Sequence, residues 1–427
     1  MKILTKSTIE SLYNMEDCLK DIEEAFLVNR NAETPVRTAL AHTATNGTSL
    51  YMPAYSEALG YSAIKMVSVF PDNPKSGRPA LRGAILLTDT TTGEHVALMD
   101  ASYLTILRTG ASSGVATKYL AKADAHTLSV IGTGAQAIGQ ILAVLAVRDI
   151  HTICLYNRTH EKANRFAQDM RGQLPSWNGE IIVAESAKAA VEVCDILVCS
   201  TKSDTPVFNG NDLKPGTHIN GIGSFQASMQ EVDVTTLKRS NKIVVDTIEG
   251  AQHEAGDLLI PAETGAWSFD ELYSELSPIL ANETPGREND EEITFYKSVG
   301  VAYLDTAVAV AVYKKAIEAD VAKKLLCTIN SKQNRDTPVN VPVLFSFYSQ
   351  LVQLSGSLCN FFANLQCSRC RRRWCVANME RTFPRNDVEI IYELAVYRQS
   401  LSTNPTWSRN KVFFLNFRDQ FLQILHK

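Results

Sequence analysis

The chain has 427 residues, and no apolar run in it is long enough to span a membrane. Its length suits two or three domains, and its 45% hydrophobic residues provide apolar surface for a core in each. No charged-then-apolar leader opens the sequence, and its nine scattered cysteines resemble no disulfide framework. We therefore expect a soluble, cytoplasmic protein with reduced thiols.

The net charge of −4 conceals a change in composition near Leu325. Residues 326–427 carry 13 Lys and Arg against 6 Asp and Glu, and they contain one glycine and five of the nine cysteines. The residues before them have a net charge of −11. Such a shift indicates a boundary. We interpret 326–427 as an accessory or poorly ordered extension, or as the product of a shifted reading frame or misjoined gene model.

The N-terminal region contains both helical and strand-like patterns. A helix start at 5–10 is followed by a helical pattern over 15–28, whose apolar residues share one face. Residues 102–120 predict a further helix, with Arg108 inside its apolar pattern. The runs that indicate a mixed sheet between these helices are 49–53, 61–70, 83–89 and 94–99.

Three cations stand out in this region because each lies in or beside an apolar stretch. They are Arg37, Lys65 and Arg108. An unpaired charge is costly in such surroundings, so each cation should face a carboxylate or another anion. One interpretation is three separate salt bridges, and the other is that the three side chains converge on a substrate carboxylate. The pattern alone leaves both open.

The stretch from Leu128 to Gly139 organises the rest of the chain. Its apolar run ends in a glycine turn and passes into a helical pattern over 136–147, which a second strand-like run at 152–156 follows. This order predicts the strand, turn and helix of a dinucleotide-binding unit, where small residues let a pyrophosphate approach the backbone. The predicted cofactor-binding residues at the turn are Gly132, Thr133, Gly134, Ala135 and Gln136.

The end of the second strand indicates which dinucleotide binds. NAD-binding units place a carboxylate there for the ribose 2′-hydroxyl, whereas this chain has Asn157, Arg158 and Thr159. A guanidinium suits a 2′-phosphate because its planar fork donates two hydrogen bonds at once. We therefore predict NADPH as the cofactor, with NADH as the second choice. The alternative is that Arg158 is a solvated residue that caps the next helix.

Several motifs in a fixed order resemble the ornithine cyclodeaminase and mu-crystallin family over residues 1–322. The motifs are Pro35 to Arg37, Lys65 to Pro71, Leu104 to Ala111, Ile131 to Ala137, Tyr156 to Thr159 and Ser298 to Ala302. Their combination is much more specific than any one of them.

The resemblance implies an α/β fold, two domains and a homodimer. A Rossmann-type dinucleotide-binding domain would span 122–297. An α+β domain for substrate binding and dimerisation would combine 1–121 with 298–322. The extension at 326–427 lies beyond the resemblance.

The resemblance also implies roles for individual residues. The side chains implied to hold the carboxylate of a small imino or amino acid are Arg37, Lys65 and Arg108. Those implied to lie along the cofactor or to flank its nicotinamide are Ser200, Thr201, Ser298, Val299 and Gly300. Asp305, in the helix that follows, is expected to be structural.

Two positions depart from the cyclodeaminase pattern of the family. Cyclodeaminases place a glutamate before a Met-Pro pair and an aspartate two residues after a glycine, and this chain has Tyr51 and Phe225 there. Neither can pair with an ammonium or act as a base at neutral pH. The pattern favours members that reduce cyclic ketimines such as Δ1-pyrroline-2-carboxylate. Lys65 would then hold the carboxylate or supply a proton as a catalytic residue.

Two other functions stay open on the sequence. An ornithine cyclodeaminase would release ammonia while it forms proline, and a non-catalytic protein of mu-crystallin type would bind NADPH or a small ligand without turnover. In the extension, Cys367 and Cys370 form a C-x-x-C, but structural zinc needs four ligands and no second pair follows. The arginines at 371–373 belong to no recognised nucleic-acid module. We expect no metal and no nucleic-acid or membrane partner.

Overall fold

The computed structural model describes residues 1–321 and the backbone of 323–324, and the predictions made for 326–427 lie outside the described residues. Within this part of the chain, the strands are β1 (Lys2–Leu4), β2 (Thr38–His42), β3 (Gly47–Ser56), β4 (Tyr61–Val69), β5 (Leu81–Asp89), β6 (His95–Asp100), β7 (Thr127–Ile131), β8 (Thr152–Tyr156), β9 (Glu180–Val183), β10 (Ile196–Cys199), β11 (His218–Gly221), β12 (Lys242–Val245), β13 (Ser274–Glu275), β14 (Thr294–Lys297) and β15 (Lys323–Lys324). The helices of the same residues are α1 (Lys6–Leu12), α2 (Met15–Val28), α3 (Ala101–Leu120), α4 (Ala137–Val147), α5 (His160–Gln173), α6 (Ala187–Val193), α7 (Val234–Arg239), α8 (Ile248–Glu254), α9 (Gly256–Glu263), α10 (Leu276–Leu280) and α11 (Ala302–Glu318).

The first sheet is mixed, as the sequence predicts. Among the described residues its strand order is β15-β1-β6-β5-β4-β3-β2, and β2 to β6 pair antiparallel while β1 runs parallel to β6. Side chains alternate between the two faces of a strand, so Ala63, Lys65 and Val67 of β4 are buried together. Helices α2, α3 and α11 share a hydrophobic core with this sheet. The alternation therefore points Lys65 into the protein.

The second sheet is parallel throughout its described pairings. Its strand order is β13-β12-β14-β11-β10-β7-β8-β9. The chain runs from β7 outward through β8 to β9, and then returns to the other side of β7 as β10. The carboxyl ends of β7 and β10 therefore flank the point at which the strand order reverses, where open α/β sheets bind their ligands.

The predicted fold class, a Rossmann-type unit beside an α+β region, is confirmed. The helix predicted over 102–120 spans Ala101–Leu120, and the helix predicted over 136–147 begins one residue later, at Ala137. The division into domains at residues 121 and 122 stays a prediction, because α3 and α4 lie on either side of it and pack closely. No helix in the described part of the chain combines the length and apolar character that crossing a membrane requires.

The contact between α3 and α4 brings two backbones together at a pair of glycines. A Cβ at Gly110 would lie 2.2 Å from the carbonyl oxygen of Gly139. A Cβ at Gly139 would lie 2.3 Å from the carbonyl oxygen of Ile106. Backbone atoms cannot swing aside as a side chain can, so any larger residue would push the helices apart. Arg108 lies on the same stretch of α3, and its position therefore depends on this contact.

Gly110→Ala tests the close packing of the two helices. Overpacking of this kind costs about 1–3 kcal/mol, so the free energy of unfolding, measured by urea denaturation, should fall by about 2 kcal/mol or more. Gly172→Ala on α5 is the control, because a Cβ there would meet nothing within 4 Å. That control should leave stability unchanged or raise it by up to about 1 kcal/mol. Equal losses in the two variants would contradict the packing argument.

Candidate active site

The glycine turn follows the carboxyl end of β7. Gly132 has a φ of +96°, a conformation in which side chains are strained, and a Cβ there would lie 2.7 Å from Cγ2 of Thr201. At Gly134 a Cβ would come no closer than 4.0 Å to its nearest neighbour, the carbonyl oxygen of Ser200. The first glycine is therefore required by the turn itself, and the second faces open space through which a ligand can approach.

Two polar side-chain atoms beside the turn have no hydrogen-bond partner among the described residues. They are Thr133 Oγ1 and Gln136 Oε1, and both are buried in this structure. Ala135 is exposed, and α4 begins two residues after it, so the N–H groups at the start of that helix face the same space. A helix N-terminus with an open approach and unused polar atoms fits the pyrophosphate of a dinucleotide.

The segment after β8 lies next to the glycine turn. The backbone N–H of Thr133 donates to Asn157 Oδ1 over 3.4 Å, and Asn157 Nδ2 donates to the carbonyl of Thr159 over 3.0 Å. Arg158 and Thr159 are both exposed, and the Thr159 side chain makes no capping hydrogen bond to α5. Arg158 forms no salt bridge within the part of the chain that the structure describes. Its guanidinium is thus available to an anion.

Ser200 and Thr201 follow β10, across from the turn. Ser200 Oγ donates to the carbonyl of Gly132 over 2.6 Å, which ties the ends of β7 and β10 together. Thr201 Oγ1 donates to Glu231 Oε1 over 2.7 Å, and the Thr201 backbone N–H donates to the same oxygen. Both hydroxyls are therefore used to hold the loops that border the open space.

Sequence reasoning missed the buried charges behind Thr201. Glu231 Oε2 accepts the backbone N–H groups of Gly223 and Ser224 over 2.7 and 3.1 Å. Asp257 in turn accepts the Glu231 N–H over 2.6 Å and lies 2.7 Å from Lys297 Nζ. Burial, and then the charge of Asp257, raises the pKa of Glu231. These side chains are fully buried, so they act as a scaffold for the two loops.

A second missed carboxylate holds the turn that follows β14. Asp246, at the end of β12, accepts hydrogen bonds through Oδ2 from Ser298 Oγ at 2.9 Å, from the Val299 N–H at 3.0 Å and from the Gly300 N–H at 2.7 Å. Its Oδ1 accepts from the Thr247 N–H at 3.0 Å. One buried carboxylate therefore fixes all three residues that the family resemblance assigned to the nicotinamide.

Lys65 and Arg108 share a carboxylate from α11. Lys65 Nζ donates to Asp305 Oδ2 over 2.7 Å, and Arg108 Nε lies 3.1 Å from Asp305 Oδ1. The second contact is close but poorly aligned for a hydrogen bond, so its attraction is that of charge. Lys65 and Asp305 are each only 2% exposed. Asp305, expected to be structural, thus lies between two of the predicted substrate-binding cations.

The end of the Arg108 guanidinium faces the turn that Asp246 holds. Gly300 has a φ of +86°, and a Cβ there would lie 2.8 Å from Arg108 Nη1. Arg108 Nη1 and Nη2 form no hydrogen bond with any residue in the described part of the chain. Gly300 is therefore needed both for its backbone conformation and for the approach of the guanidinium, whose paired nitrogens stay available.

Arg37 pairs with a different carboxylate. Its Nη2 contacts Glu254 Oε2 and donates to the carbonyls of Val299 and Gly300 over 2.9 and 3.3 Å. The two side chains form part of the wall of an open cavity of about 570 Å³, solvent included, which His253 and Gly300 also line. Arg37 and Arg108 therefore both reach the turn at 298–300, and all three predicted cations pair with a carboxylate of the protein.

The surroundings of Lys65 change its acidity. Burial, and then the positive charge of Arg108, lowers the pKa of Lys65 to about 8, while Asp305 acts in the opposite direction. The ammonium therefore loses its proton much more readily than a lysine in water. Such a group can hold an anion at neutral pH and can also exchange a proton.

The two departures from the cyclodeaminase pattern lie on different elements. Tyr51 is on β3, where its neighbour Met52 pairs directly with Lys65 of β4. Phe225 follows β11 and is partly buried. Neither position offers a carboxylate to the cavity.

A group with metal-ligand chemistry lies elsewhere. His126, Asp149 and His151 are exposed, and their ligand atoms lie within 4.8 Å of one another. They stand at the amino ends of β7 and β8, the edge of the sheet opposite the glycine turn. The C-x-x-C formed by Cys367 and Cys370 lies outside the described residues.

The parallel sheet, the glycine turn at its switch point and the adjoining cations define a dinucleotide-dependent oxidoreductase. The family model for the ornithine cyclodeaminase/mu-crystallin family matches residues 1–320. The chain belongs to this family, and the resemblance predicted from its motifs is confirmed.

Individual relatives narrow the comparison. A Δ1-pyrroline-2-carboxylate reductase of Bacillus cereus is 44% identical over 292 residues, which cover 68% of this chain and 89% of the relative. A solved structure of the Δ1-pyrroline-2-carboxylate reductase of Thermococcus litoralis contains NADH and L-proline. Its chain is 40% identical to this one, with a TM-score of 0.73, and the match covers 76% of this chain and 100% of that chain. An archaeal alanine dehydrogenase dimer with bound NAD is 35% identical, with a TM-score of 0.70, over 76% of this chain and 99% of its own.

Proposed function

We propose that this chain catalyses the NAD(P)H-dependent reduction of a cyclic imino acid, Δ1-pyrroline-2-carboxylate or a similar ketimine, to the cyclic amino acid. The observation that carries the proposal is the contact between the Arg108 guanidinium and Gly300. It sets a carboxylate-binding group beside the turn assigned to the nicotinamide. The relatives named as reductases of this imine, one of them crystallised with NADH and L-proline, support the same reaction.

The residues of the chain divide the work of the reaction. When bound, the reduced dinucleotide supplies the hydride that adds to C2 of the C=N bond. Arg108 offers two free nitrogens to the substrate carboxylate, and Arg37 adds positive charge from the cavity wall. These contacts orient C2, and the buried surroundings of Lys65 exclude water. Lys65 holds a proton close to the carboxylate site and can deliver it to the ring nitrogen as the C=N bond is reduced.

The alternative functions fit the site less well. A cyclodeaminase needs one carboxylate for the side-chain ammonium of a diamino acid and another as base, and Tyr51 and Phe225 occupy those positions. A non-catalytic binder of NADPH would not require Lys65 and Arg108 to be buried together beside the 298–300 turn, since burying two cations is costly. Reduction of an imine uses both.

We further propose NADPH as the preferred cofactor and a homodimer as the assembly. The exposed guanidinium of Arg158 supports the cofactor preference, although two of the related structures contain NADH or NAD.

The proposed homodimer is supported by the surface of strand β2. This strand is exposed along its whole length, and Leu40 on it is 50% exposed, which suits burial against a partner subunit. A cytoplasmic location is supported by the free thiols of the buried cysteines in the described residues, Cys18, Cys154, Cys194 and Cys199.

The central test combines two assays. One measures NADPH oxidation with Δ1-pyrroline-2-carboxylate, and the other measures ammonia release from ornithine. The wild type should reduce the imine and release little ammonia. Arg108→Leu should lower kcat/KM by about a hundredfold or more, because a buried carboxylate loses its partner, while NADPH affinity stays within about twofold. Lys118→Met, an exposed cation on the same helix, is the control and should have the activity of the wild type. Ammonia release as fast as imine reduction would overturn the proposal.

The role of Lys65 is tested by the dependence of activity on pH. Its ammonium is present below a pKa of about 8 and is lost above it, so kcat/KM should be level near pH 7 and fall as pH rises past about 8. Lys65→Arg keeps a positive charge that does not titrate in this range, so it should remove the alkaline fall while lowering the maximal rate. A profile that is flat to pH 10 in the wild type would show that this proton is not used.

Cofactor preference is tested at Arg158. We expect the wild type to bind NADPH at least about tenfold more tightly than NADH, and Arg158→Ala to remove most of that difference by weakening NADPH alone. Arg165→Ala, an exposed arginine further along α5, is a matched control. If the wild type prefers NADH by tenfold, the interpretation of residues 157–159 as a site for the 2′-phosphate of NADPH is wrong.

A further inference from the structure

The three cations of the candidate active site outnumber the carboxylates that pair with them. The cations are Arg37, Lys65 and Arg108, and the carboxylates are those of Glu254 and Asp305. Another carboxylate, Asp246, lies at the adjoining turn, where it accepts from Ser298 and from backbone N–H groups and pairs with none of the three cations. A substrate carboxylate therefore needs guanidinium nitrogens that these contacts leave free, and a second carboxylate would need a second free edge.

The geometry of Arg37 limits what it can bind. A guanidinium grips a carboxylate with two nitrogens on one edge, either Nη1 with Nη2 or Nε with Nη2, so both edges include Nη2. In this structure Arg37 Nη2 already contacts Glu254 and the carbonyls of Val299 and Gly300. While Glu254 keeps this contact, Arg37 cannot grip a second anion with two hydrogen bonds.

The same pair is poorly exposed to solvent. The Arg37 and Glu254 side chains are 15% and 18% exposed, so water screens their interaction only in part. Burial raises the pKa of Glu254, and the charge of Arg37 opposes this. Glu249 lines the same cavity but is exposed and forms no salt bridge within the described residues. Two glutamates of one helix thus line the same cavity, and only the more buried of them, Glu254, contacts Arg37.

We propose that Glu254 is a specificity-determining residue that restricts the site to imino acids with one carboxylate. It does so by neutralising Arg37 and occupying Nη2, so that Arg108 alone offers a free bidentate edge. A substrate with a second carboxylate would bring it against the Glu254 carboxylate, with no cation to spare. This inference rests on the proposed imine reduction and names the substrate class of that site.

The test compares two imines in the full-length enzyme. They are Δ1-pyrroline-2-carboxylate, with one carboxylate, and the imine formed from oxaloacetate and ammonia, with two. The wild type should strongly favour the first. Glu254→Gln should shift the ratio of the two kcat/KM values at least about tenfold toward the dicarboxylate, because Arg37 then lacks a carboxylate partner. Glu249→Gln, the control, removes one charge from the same cavity and should shift the ratio less than about twofold.

Two results would overturn the inference, and a binding measurement separates it from the proposed function. An unchanged ratio in Glu254→Gln contradicts it, and so does an equal shift in Glu249→Gln. Calorimetric titration with pyrrole-2-carboxylate and pyrrole-2,5-dicarboxylate measures the same preference without turnover. If the wild type binds the monocarboxylate but reduces neither imine, the proposed reaction is wrong. The preference for one carboxylate over two is then still measured by the ratio of the two affinities. If Glu254→Gln fails to fold, Glu254→Asp takes its place, because the shorter side chain withdraws the carboxylate from Arg37. This variant should shift the ratio of the two kcat/KM values in the same direction by a smaller factor. An unchanged ratio in Glu254→Asp would contradict the inference.

Discussion

The shared carboxylate of Asp305 is the interaction on which the candidate active site depends. It pairs with both Lys65 from the first sheet and Arg108 from α3, although Lys65 and Asp305 lie 240 residues apart in the chain. Without this carboxylate, the two buried cations would repel each other, and neither would have a partner to replace the solvation that water gives to a charged group. The substrate side of the site therefore exists only when α11 has packed against β4 and α3.

The same helix connects the proposed substrate-binding residues to the turn assigned to the nicotinamide. Helix α11 begins at Ala302, directly after the turn that Asp246 holds with three hydrogen bonds. Gly300 in that turn touches the Arg108 guanidinium, and the carbonyls of Val299 and Gly300 accept from Arg37. A displacement of the turn would move both arginines relative to the cofactor. Pre-organisation of this kind matters because an error of about 1 Å in orientation can cost a hundredfold in rate.

The sequence predicted the parts of this protein that depend on local chemistry. The parallel sheet, the helix after the glycine turn and the mixed sheet follow from hydrophobic period and from glycines that only a close ligand or a tight turn requires. The carboxylates that complete the site were not predicted. Glu254 lies 217 residues from Arg37 in the sequence. An acidic residue near a helix end is normally predicted to be exposed to solvent, so nothing in the sequence indicated this pair. Asp305 offered a usable signal, since it lies in the apolar pattern of α11, where a charge needs a partner.

Of the two interpretations of the three cations, the structure contains the salt bridges, because each cation contacts a carboxylate of the protein. Convergence of the cations on a substrate carboxylate stays a prediction. Protein carboxylates hold the cations in place, and they leave Arg108 Nη1 and Nη2 without a hydrogen bond among the described residues. Lys65 and Arg108 are buried and held close together by Asp305, and the repulsion between these two cations opposes folding. A bound carboxylate relieves that repulsion, so its binding free energy appears as added stability of the folded protein. Under the proposed function, the pair of buried cations therefore exchanges stability of the folded protein for affinity toward a carboxylate.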